Sequence, residues 1–433
     1  MFVVKEILVY YNIIDYGALS DGKTLATSAI QAAIDDCYKN GGGRVVIPSG
    51  NFYSGSLFLK DNVELHLEHG ATLTASESMD DYNADDAYVQ NYGFAPEQWR
   101  AKHLIMAVEC KNVAITGSGV IDGNGDSFRA EPKINQNYPY SWRFGMAHVK
   151  DINVMRPGQL ICFIESRDVL VDGITLRNTS CWCIFIHGCE FVRVSRITVL
   201  NKKTSLNTDG IDIDSSRFVT VSDCNIETGD DAITFRCAAK RLKTPKICEH
   251  ITVTNCNLAV SASAFRIGVG TGQIRHVRVS NITVARAGVG MHFMTSYNGA
   301  GEAVIEDVNF SGISLCNVGW PFKIDGSTGK IKNVTVDNVR AHSLAGIRII
   351  PDRKEIVSDL TLRDFDLFLV KDERDLTPSD LAKRGDDIFY AKNISGIRLL
   401  GLRIFVDSEI LSEWASKFKT EDCDGIVIKD CDC

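Results

Sequence analysis

A weak internal repeat in the middle of the chain most constrains how this sequence can fold. Its unit is an apolar–polar–apolar phrase, followed by polar residues with a turn former and one more apolar residue. The units begin at Val169, Val192, Val219, Ile251, Val277 and Val334, and the first four starts are 23, 27 and 32 residues apart. Regular strands joined by turns of unequal length are typical of a solenoid. The repeat therefore predicts an all-β chain folded as a parallel β-helix. A β-propeller is disfavoured because no two-residue hairpin signals recur.

No linker divides the chain. A length of 433 residues allows one large domain or several ordinary ones. However, no Pro/Ser-rich stretch or block of like charge interrupts the strand-like pattern. A solenoid escapes the usual limit on domain size because each repeat contacts only its neighbours. We therefore expect residues 1–433 to form a single β-helix domain.

One short helix is expected before the strands begin, over residues 22–39. Glycines at 41–43 end it, and its apolar residues recur at helical spacing, at Ala29, Ile30, Ala33, Ile34 and Cys37. A helix here can cap the N-terminal end of a solenoid, where strand edges and apolar core would otherwise be exposed. An ordinary packed helix would show the same residues, so the pattern leaves both interpretations open.

Two long loops, 76–102 and 125–157, interrupt the strand pattern and are rich in aromatic residues. Long loops in compact domains are commonly functional, and sugar rings stack on aromatic faces. These segments therefore either wall a carbohydrate-binding cleft or simply cover part of the solenoid. Their aromatic residues are Tyr82, Tyr88, Tyr92, Phe94 and Trp99 in the first loop, and Phe128, Tyr138, Tyr140, Trp142 and Phe144 in the second.

Two acidic motifs, Asn207-Thr208-Asp209 and Gly229-Asp230-Asp231, lie one repeat apart in apolar, strand-like surroundings. The 21 residues between Asp209 and Asp230 make about one solenoid turn. Stacked turns would place the two motifs about 4.8 Å apart along the axis. Side-chain reach then separates the carboxyl groups by about 5–9 Å, the range in which carboxylate pairs cleave glycosidic bonds. Turn aspartates that satisfy backbone amides are the alternative interpretation.

Both motifs resemble signatures of the polygalacturonase family, glycoside hydrolase family 28. Further phrases occur in the order that this family uses, at 16–18, 41–50, 55–60, 121–125 and 156–157. The resemblance implies a right-handed parallel β-helix, which is a pectin-lyase-like solenoid, and hydrolysis of pectic sugar chains. The expected partner is accordingly an oligosaccharide substrate, and no cofactor is implied.

The resemblance also implies catalytic roles. Asp230 is the general acid, while Asp209 and Asp231 hold and activate water, whose attack inverts the anomeric centre. Repulsion between neighbouring carboxylates suits this division, because it keeps one of them protonated near neutral pH. There is one geometric conflict, since in a strict strand Asp231 shares the core-facing parity of Ile233. Both aspartates can serve one cleft only if Gly229 permits a bend.

The chain departs from the family where the substrate is gripped. The family's Gly-His-Gly motif falls on 261–268, which contains no histidine, and its Arg-Ile-Lys motif falls on 292–294, which reads His-Phe-Met. Because that arginine and lysine hold a uronate carboxylate, plain polygalacturonate should be a poor substrate. A modified pectic fragment or a neutral glycoside should be better. The residues expected at the substrate are Asn207, Asp212, Arg236, Arg266, His187 and His292. The arginines are equally well explained as surface residues, and the histidines as structural ones.

Composition excludes several other partners. The net charge is −8 and no basic, aromatic-rich patch is present, so nucleic acid is not expected to bind. No apolar run approaches about 18 residues, so no membrane span is expected. Lys5 and Glu6 interrupt the first apolar run, which is unlike an export signal and predicts a cytoplasmic protein, or a secreted one whose signal was trimmed. The fourteen cysteines are then expected as reduced thiols in the core.

No metal is expected, although the acids at 209, 212 and 214 invite a calcium interpretation. The EF-hand pattern fails because its central Gly and final Glu are missing. The Cys-x-Cys pairs at 181–183 and 431–433 lack zinc-finger spacing.

Two other functions remain possible. A β-helix polysaccharide lyase would need a basic cluster beside the acids, which the sequence does not show. A non-catalytic carbohydrate-binding solenoid fits the missing histidine but not the retained aspartates.

Overall fold

The computed structural model describes residues 10–134, 149–296, 301–371 and 384–432. In these residues the chain winds as a right-handed parallel β-helix, which confirms the fold that the sequence predicts. Each full turn contributes three strand segments. Equivalent segments of successive turns pair in parallel, so that the strands stack in three columns along the solenoid axis.

Each column is defined by its strands, in axial order. The first column contains β1 (Tyr10–Asn12), β3 (Gly43–Ile47), β6 (Val63–Leu67), β10 (Lys111–Gly117), β16 (Arg167–Asp172), β19 (Glu190–Ser195) and β22 (Arg217–Ser222). The second contains β2 (Asp21–Leu25), β4 (Gly50–Ser54), β7 (Ala71–Ala75), β11 (Val120–Asp122), β17 (Thr175–Arg177), β20 (Thr198–Leu200) and β23 (Asn225–Thr228). The third contains β5 (Leu57–Phe58), β9 (Ile105–Val108), β15 (Ile161–Ile164), β18 (Ile184–His187), β21 (Ile211–Asp214), β24 (Ile233–Cys237) and β26 (Ser263–Gly270).

In the C-terminal half several strands are long enough to turn a corner and join more than one column. These strands are β25 (Cys248–Val260), β27 (Gln273–Met294), β28 (Val304–Gly326), β29 (Lys330–Ser343), β31 (Val357–Leu369) and β33 (Ile394–Val406). The first column ends with β35 (Val427–Lys429), and the third continues through β30 (Ile347–Pro351), β32 (Asp387–Lys392) and β34 (Ser416–Glu421). Outside the columns, β8 (Trp99–Arg100) pairs with β14 (Arg156–Pro157), and β12 (Arg129–Ile134) with β13 (Val149–Asn153).

The N-terminal helix, α1, spans Thr27–Lys39, so the expected start at residue 22 is wrong. The residues before it form β2 instead, because they pair with β4, Asp21 opposite Asn51 and Leu25 opposite Tyr53. The Asp21 carboxylate also accepts hydrogen bonds from the backbone N–H of Lys23 and Thr24, at 2.9 and 2.8 Å. The helix buries its apolar face, Ile30, Ala33, Ile34 and Cys37, against the first turns of the solenoid. This position fits a helix that caps the N-terminal end of the core. Among the described residues, no helix has the length and apolarity needed to cross a bilayer.

The interior is one continuous apolar core that runs from Tyr11 to Trp414 along the solenoid. Inward side chains stack on their equivalents one turn away, as Phe235 does on Phe265, with ring centroids 6.4 Å apart and nearly parallel planes. Most described cysteines are buried, and none of those in the described part of the chain forms a disulfide. Small buried thiols thus fill core positions, in the arrangement expected for reduced cysteines.

Short 3-10 helices occur between the strands, at Ile13–Tyr16, Met79–Asp81, Ala95–Glu97, Gly125–Phe128, Ala239–Arg241 and Leu411–Glu413. Two of them belong to the long loop 76–102. In the second long loop, Phe128 is buried, while the aromatic residues at 138, 140, 142 and 144 lie outside the described residues.

Candidate active site

The three aspartates precede their strands rather than lying within them. Asp209 comes before β21, and Asp230 and Asp231 come before β24, which begins at Ile233. The alternation of side chains along a strand therefore does not decide which way these aspartates point. Asp230 and Asp231 can face the same cleft, and the conflict expected from strand geometry does not arise. The bend depends on glycine, because a Cβ on Gly229 would lie only 2.1 Å from the Ser205 carbonyl oxygen.

The carboxyl groups of Asp209, Asp230 and Asp231 converge on one small volume. One oxygen from each lies within 4.8 Å of the others, and the residues are only 6%, 4% and 3% exposed. Stacking of turns produces this cluster, since the Gly210 N–H donates to the Asp231 carbonyl oxygen at 3.0 Å. Asp230 is held separately, because its Oδ2 accepts a hydrogen bond of 2.8 Å from the backbone N–H of Asn207.

Asp231 is held as a carboxylate by Arg266 of the next turn. The guanidinium donates through Nε to Asp231 Oδ2, and through Nη2 to Oδ1 at 3.1 Å. The Ser263 N–H adds a hydrogen bond of 2.7 Å to Oδ1. Burial alone would raise the pKa of Asp231, but Arg266 and Ser263 outweigh it, so the pKa lies below its usual value. Arg266 and Ser263 therefore favour the ionised form of Asp231.

The environment of Asp209 shifts its pKa in the direction opposite to that of Asp231. Burial, followed by repulsion from Asp230, Asp212 and Asp231, raises its pKa well above the usual value. Its Oδ1 has no hydrogen-bond partner among the described residues. Carboxylates this close disfavour one another's ionisation. The triad thus places a carboxyl group whose pKa is raised beside a fixed carboxylate, which is the combination that acid–base catalysis requires.

Arg236 neutralises a second acidic layer behind the triad. Its Nη1 lies 3.4 Å from Asp212 Oδ1 and its Nε 3.7 Å from Asp214 Oδ2. Burial raises the pKa of Asp212 to about 7 despite the arginine. Burial acts in the same direction on Asp214, but His187 and Arg236 lower its pKa to about 2. The guanidinium also lies 4.4 Å from the ring centroid of Trp182, so Arg236 is part of a packed wall.

A cavity of about 200 Å³ opens directly onto the triad. Tyr92, Phe94, Glu97 and Trp99 of the loop 76–102 form one wall, and Trp182 of the solenoid forms another. Drug-sized ligands usually occupy about 300–1,000 Å³, so this cavity suits a smaller group such as one sugar ring. The aromatic loop thus lies where a cleft wall was predicted, and contact with sugar remains a prediction.

Of the six residues expected at the substrate, three line this cavity, namely Asn207, Arg236 and Arg266. The other three lie outside its lining. Asp212 is fully buried beneath Arg236. His187 stacks on Phe185, with ring centroids 5.1 Å apart. His292 Nε2 lies within hydrogen-bond distance of Asp325 Oδ2, at 2.9 Å, and burial lowers the pKa of His292. These positions make the three residues supports for the site.

Sequence reasoning missed Glu97 and the role of Arg156. Glu97 Oε2 accepts hydrogen bonds from Trp99 Nε1 at 3.1 Å and from Asn207 Nδ2 at 3.3 Å. Fully buried Arg156 donates through Nη2 to Asn207 Oδ1 and to the Glu97 carbonyl oxygen, both at 3.0 Å. Arg156 thereby clamps the aromatic loop onto the acidic motif. The Arg-Pro motif at 156–157 was a signal for this contact, whereas nothing in the sequence marked Glu97.

The triad also has the donor set of a divalent-cation site, because hard cations prefer carboxylate oxygens. One of its three carboxylates, Asp231, is already engaged by the bidentate contact with Arg266. The expectation of a metal-free site stays a prediction.

Comparison with known proteins agrees with this architecture. The model of the glycosyl hydrolases family 28 matches residues 37–367. A probable polygalacturonase of Vitis vinifera is 26% identical over 332 residues, which cover 73% of this chain and 63% of the relative. An exo-poly-alpha-D-galacturonosidase of Dickeya chrysanthemi is 30% identical over 259 residues, which cover 52% of this chain and 41% of the relative. The chain thus spans less than two thirds of the length of either relative.

Among solved structures, a family 28 exopolygalacturonase of Yersinia enterocolitica superposes with a TM-score of 0.66 at 21% identity, covering 98% of this chain and 77% of that one. This structural similarity shows that the two proteins share the β-helix fold. The family match extends over most of the length, and the solenoid gathers the aspartates of both acidic motifs at one cavity. The chain therefore belongs to glycosyl hydrolase family 28.

Proposed function

We propose that this chain is a glycoside hydrolase that cleaves pectin-derived or related oligosaccharides with inversion of the anomeric centre. The proposal is carried by one arrangement, the buried carboxylate triad in which the contact with Arg266 favours the ionised form of Asp231, while burial and neighbouring charges raise the pKa of Asp209. Membership of family 28 favours hydrolysis over the lyase alternative. Retention of all three carboxylates at a cavity favours catalysis over simple binding.

In the proposed reaction, a sugar ring occupies the cavity and its glycosidic oxygen faces the triad. Asp230 donates a proton to the leaving oxygen, in the role that the resemblance implies. Asp231 accepts the proton of a water molecule on the opposite face, and Asp209 helps to hold that water in place. Asp231 is a poor nucleophile because both of its oxygens accept hydrogen bonds from Arg266 or Ser263.

The oxygen separations within the triad fall below the roughly 6.5–9.5 Å typical of inverting pairs. The proposal of inversion therefore rests on the hydrogen bonds that both Asp231 oxygens already accept and on the resemblance to the polygalacturonase motifs. The stereochemistry of the product tests it.

We further propose that cleavage proceeds from a chain end. Toward the N-terminal turns, the outer face of the third column is filled by apolar side chains, including Met106, Cys162, Trp182 and Phe185, and Trp99 of the aromatic loop packs on them. A sugar chain entering the cavity can then extend only toward the C-terminal turns. The relative from Dickeya chrysanthemi is an exo-poly-alpha-D-galacturonosidase, which supports the same mode here.

The decisive experiment screens wild type and Asp230→Asn on pectic and neutral oligosaccharides, with product analysis. The substitution keeps the size of the side chain and removes a transferable proton, so we expect kcat to fall by about 10²–10⁴. The matched control is Asp223→Asn, which alters an exposed aspartate of the same repeat and should leave kcat unchanged. Near-normal turnover by Asp230→Asn on the best substrate would refute the assignment. Rapid viscosity loss of a polymer solution would refute the chain-end mode.

A further inference from the structure

The outward positions of the third column change in chemical character along the solenoid axis. They are in strict register, so each residue lies one turn beyond the last, in the order Phe185, Asp212, Thr234, Arg266, His292, Lys323, Arg348, Tyr390 and Lys419. The row is apolar before the triad, acidic beside it, and basic after it. A sugar chain leaving the cavity toward the C-terminal turns would pass along the basic part.

The cations of this row differ in how far they are already neutralised. Arg266 is occupied by Asp231. His292 and Lys323 share one carboxylate, since Asp325 Oδ2 lies 2.9 Å from His292 Nε2 and 2.8 Å from Lys323 Nζ. Arg348 makes no ion pair with any described residue, and its Nη1 is buried without a hydrogen-bond partner among them. The side chain as a whole is partly exposed, so Arg348 carries a charge that a ligand can reach and that no described carboxylate pairs with.

Arg348 is also fixed in position. Its guanidinium lies 5.3 Å from the ring centroid of Tyr390 on the next turn. The backbone of Gly385 packs against it so closely that a Cβ at that glycine would lie 2.1 Å from Nη1. A guanidinium that is already ordered loses little conformational entropy on binding an anion. Its planar fork matches the two oxygens of a carboxylate.

We propose that Arg348, with Lys323 beside it, forms a subsite for the carboxylate of a uronic acid unit on the side of the substrate that extends from the cavity. This inference rests on the proposed function, because it assumes that a glycan runs along the third column. Turns are about 4.8 Å apart, so Arg348 lies about 14 Å along the axis from Arg266. A glycan advances by about one sugar per turn, which places the bound uronate on the second or third sugar beyond the cleaved bond.

The subsite would let the chain recognise an acidic glycan although 292–294 lacks the family's arginine and lysine. One turn beyond Arg266, His292 is buried against Asp325, and Met294 is uncharged, so neither offers a permanent cation to the sugar next to the cleaved bond. The carboxylate that confers affinity lies farther along the axis. The best fit is an oligosaccharide with a neutral sugar next to the cleaved bond and a uronate farther along, where Arg348 lies.

The test compares Arg348→Gln with Arg340→Gln. Arg340 is a matched control, because it is exposed and stacks on Phe368 at 4.9 Å but lies outside the third column. For wild type and both variants, kcat/KM is measured on acidic galacturonate oligosaccharides and on their methyl esters at equal length. The ratio of acid to ester reports recognition of the carboxylate. Disaccharides, which are too short to reach Arg348, serve as the internal reference.

We expect Arg348→Gln to lower the acid-to-ester ratio by roughly 10- to 100-fold on tri- and tetrasaccharides, the effect of one charge-assisted hydrogen bond. The loss should appear in KM, with kcat little changed, because binding here is the same in the ground and transition states. Disaccharides and Arg340→Gln should show no change. Equal ratios for the two variants at every length would overturn the subsite.

A binding experiment separates this inference from the proposed function. The inactive Asp230→Asn protein and the double variant Asp230→Asn/Arg348→Gln are titrated calorimetrically with tetragalacturonate. If wild type hydrolyses no pectic substrate yet the double variant binds at least 10-fold more weakly, the subsite stands and the hydrolytic function fails. If wild type hydrolyses the substrates but the two affinities are equal, the function stands and the subsite is wrong.

Discussion

Replacing Arg266 with alanine tests the electrostatic design of the triad most directly. The side chains of Arg266 and Asp231 are only 7% and 4% exposed. The substitution would leave Asp231 with its Ser263 hydrogen bond but without a counter-charge, within 4.8 Å of two other carboxylates. Leaving one partner of a buried ion pair uncompensated costs about 3–5 kcal/mol of unfolding free energy. We expect a loss of that size at pH 7, together with loss of activity.

The pH dependence of this loss distinguishes charge from packing. In wild type the lowered pKa of Asp231 means that the ion pair stabilises the fold above the unfolded pKa of about 3.9 and is lost as pH falls through the folded value. In the variant, burial and the neighbouring acids would raise the pKa of Asp231 instead. The penalty should therefore be smallest near pH 4 and grow by up to about 1.4 kcal/mol per pH unit, until Asp231 is ionised in both states.

The control is Arg278→Ala. Arg278 Nη2 lies 2.9 and 2.8 Å from the two carboxylate oxygens of Asp307, also one turn away, but the side chains are 49% and 27% exposed. An exposed pair contributes about 0–1 kcal/mol. Urea unfolding of both variants at pH 4 to 8 gives the comparison. An Arg266→Ala penalty equal to that of the control, or independent of pH, would refute the reasoning.

Three further predictions follow from the site and the core. Proton NMR in the first minutes of hydrolysis should show the product anomer opposite to the bond cleaved, and a retained anomer would contradict the water-activating roles of Asp209 and Asp231. Glu97→Gln removes a charge that raises the pKa of Asp209. Because the three carboxyl groups are close enough to titrate as a coupled group, the alkaline limb of the kcat/KM profile should shift to lower pH, whereas Glu227→Gln, at an exposed site, should not shift it. All fourteen thiols should titrate in denaturant without reductant, and few in the native protein, because most described cysteines are buried. A lower total in denaturant would reveal disulfides.

The fold was readable from the sequence because its information is local and repeated. Alternation of apolar and polar residues fixes which side chains of a strand face inward, and recurrence of the phrase at Val169, Val192 and Val219 shows that the strands stack. Acidic motifs one turn apart must then become neighbours, as Asp209, Asp230 and Asp231 do. The start of α1 was misplaced because residues 21–25 pair with β4, a contact with a later part of the chain that helical spacing does not reveal.

Only the tertiary structure decided how charges are distributed around the triad. Arg236 and Arg266 looked equivalent in the sequence, yet Arg266 pairs with Asp231 while Arg236 lies over Asp212 and Asp214. The difference arises from register, because Arg236 lies opposite Asp214 in the pairing of β21 with β24, whereas Arg266 lies opposite Thr234 of β24, three residues beyond Asp231. Contacts such as that of Glu97 with Asn207 likewise join residues 110 positions apart. Local patterns determine what each turn is made of, whereas the register between turns determines which side chains meet.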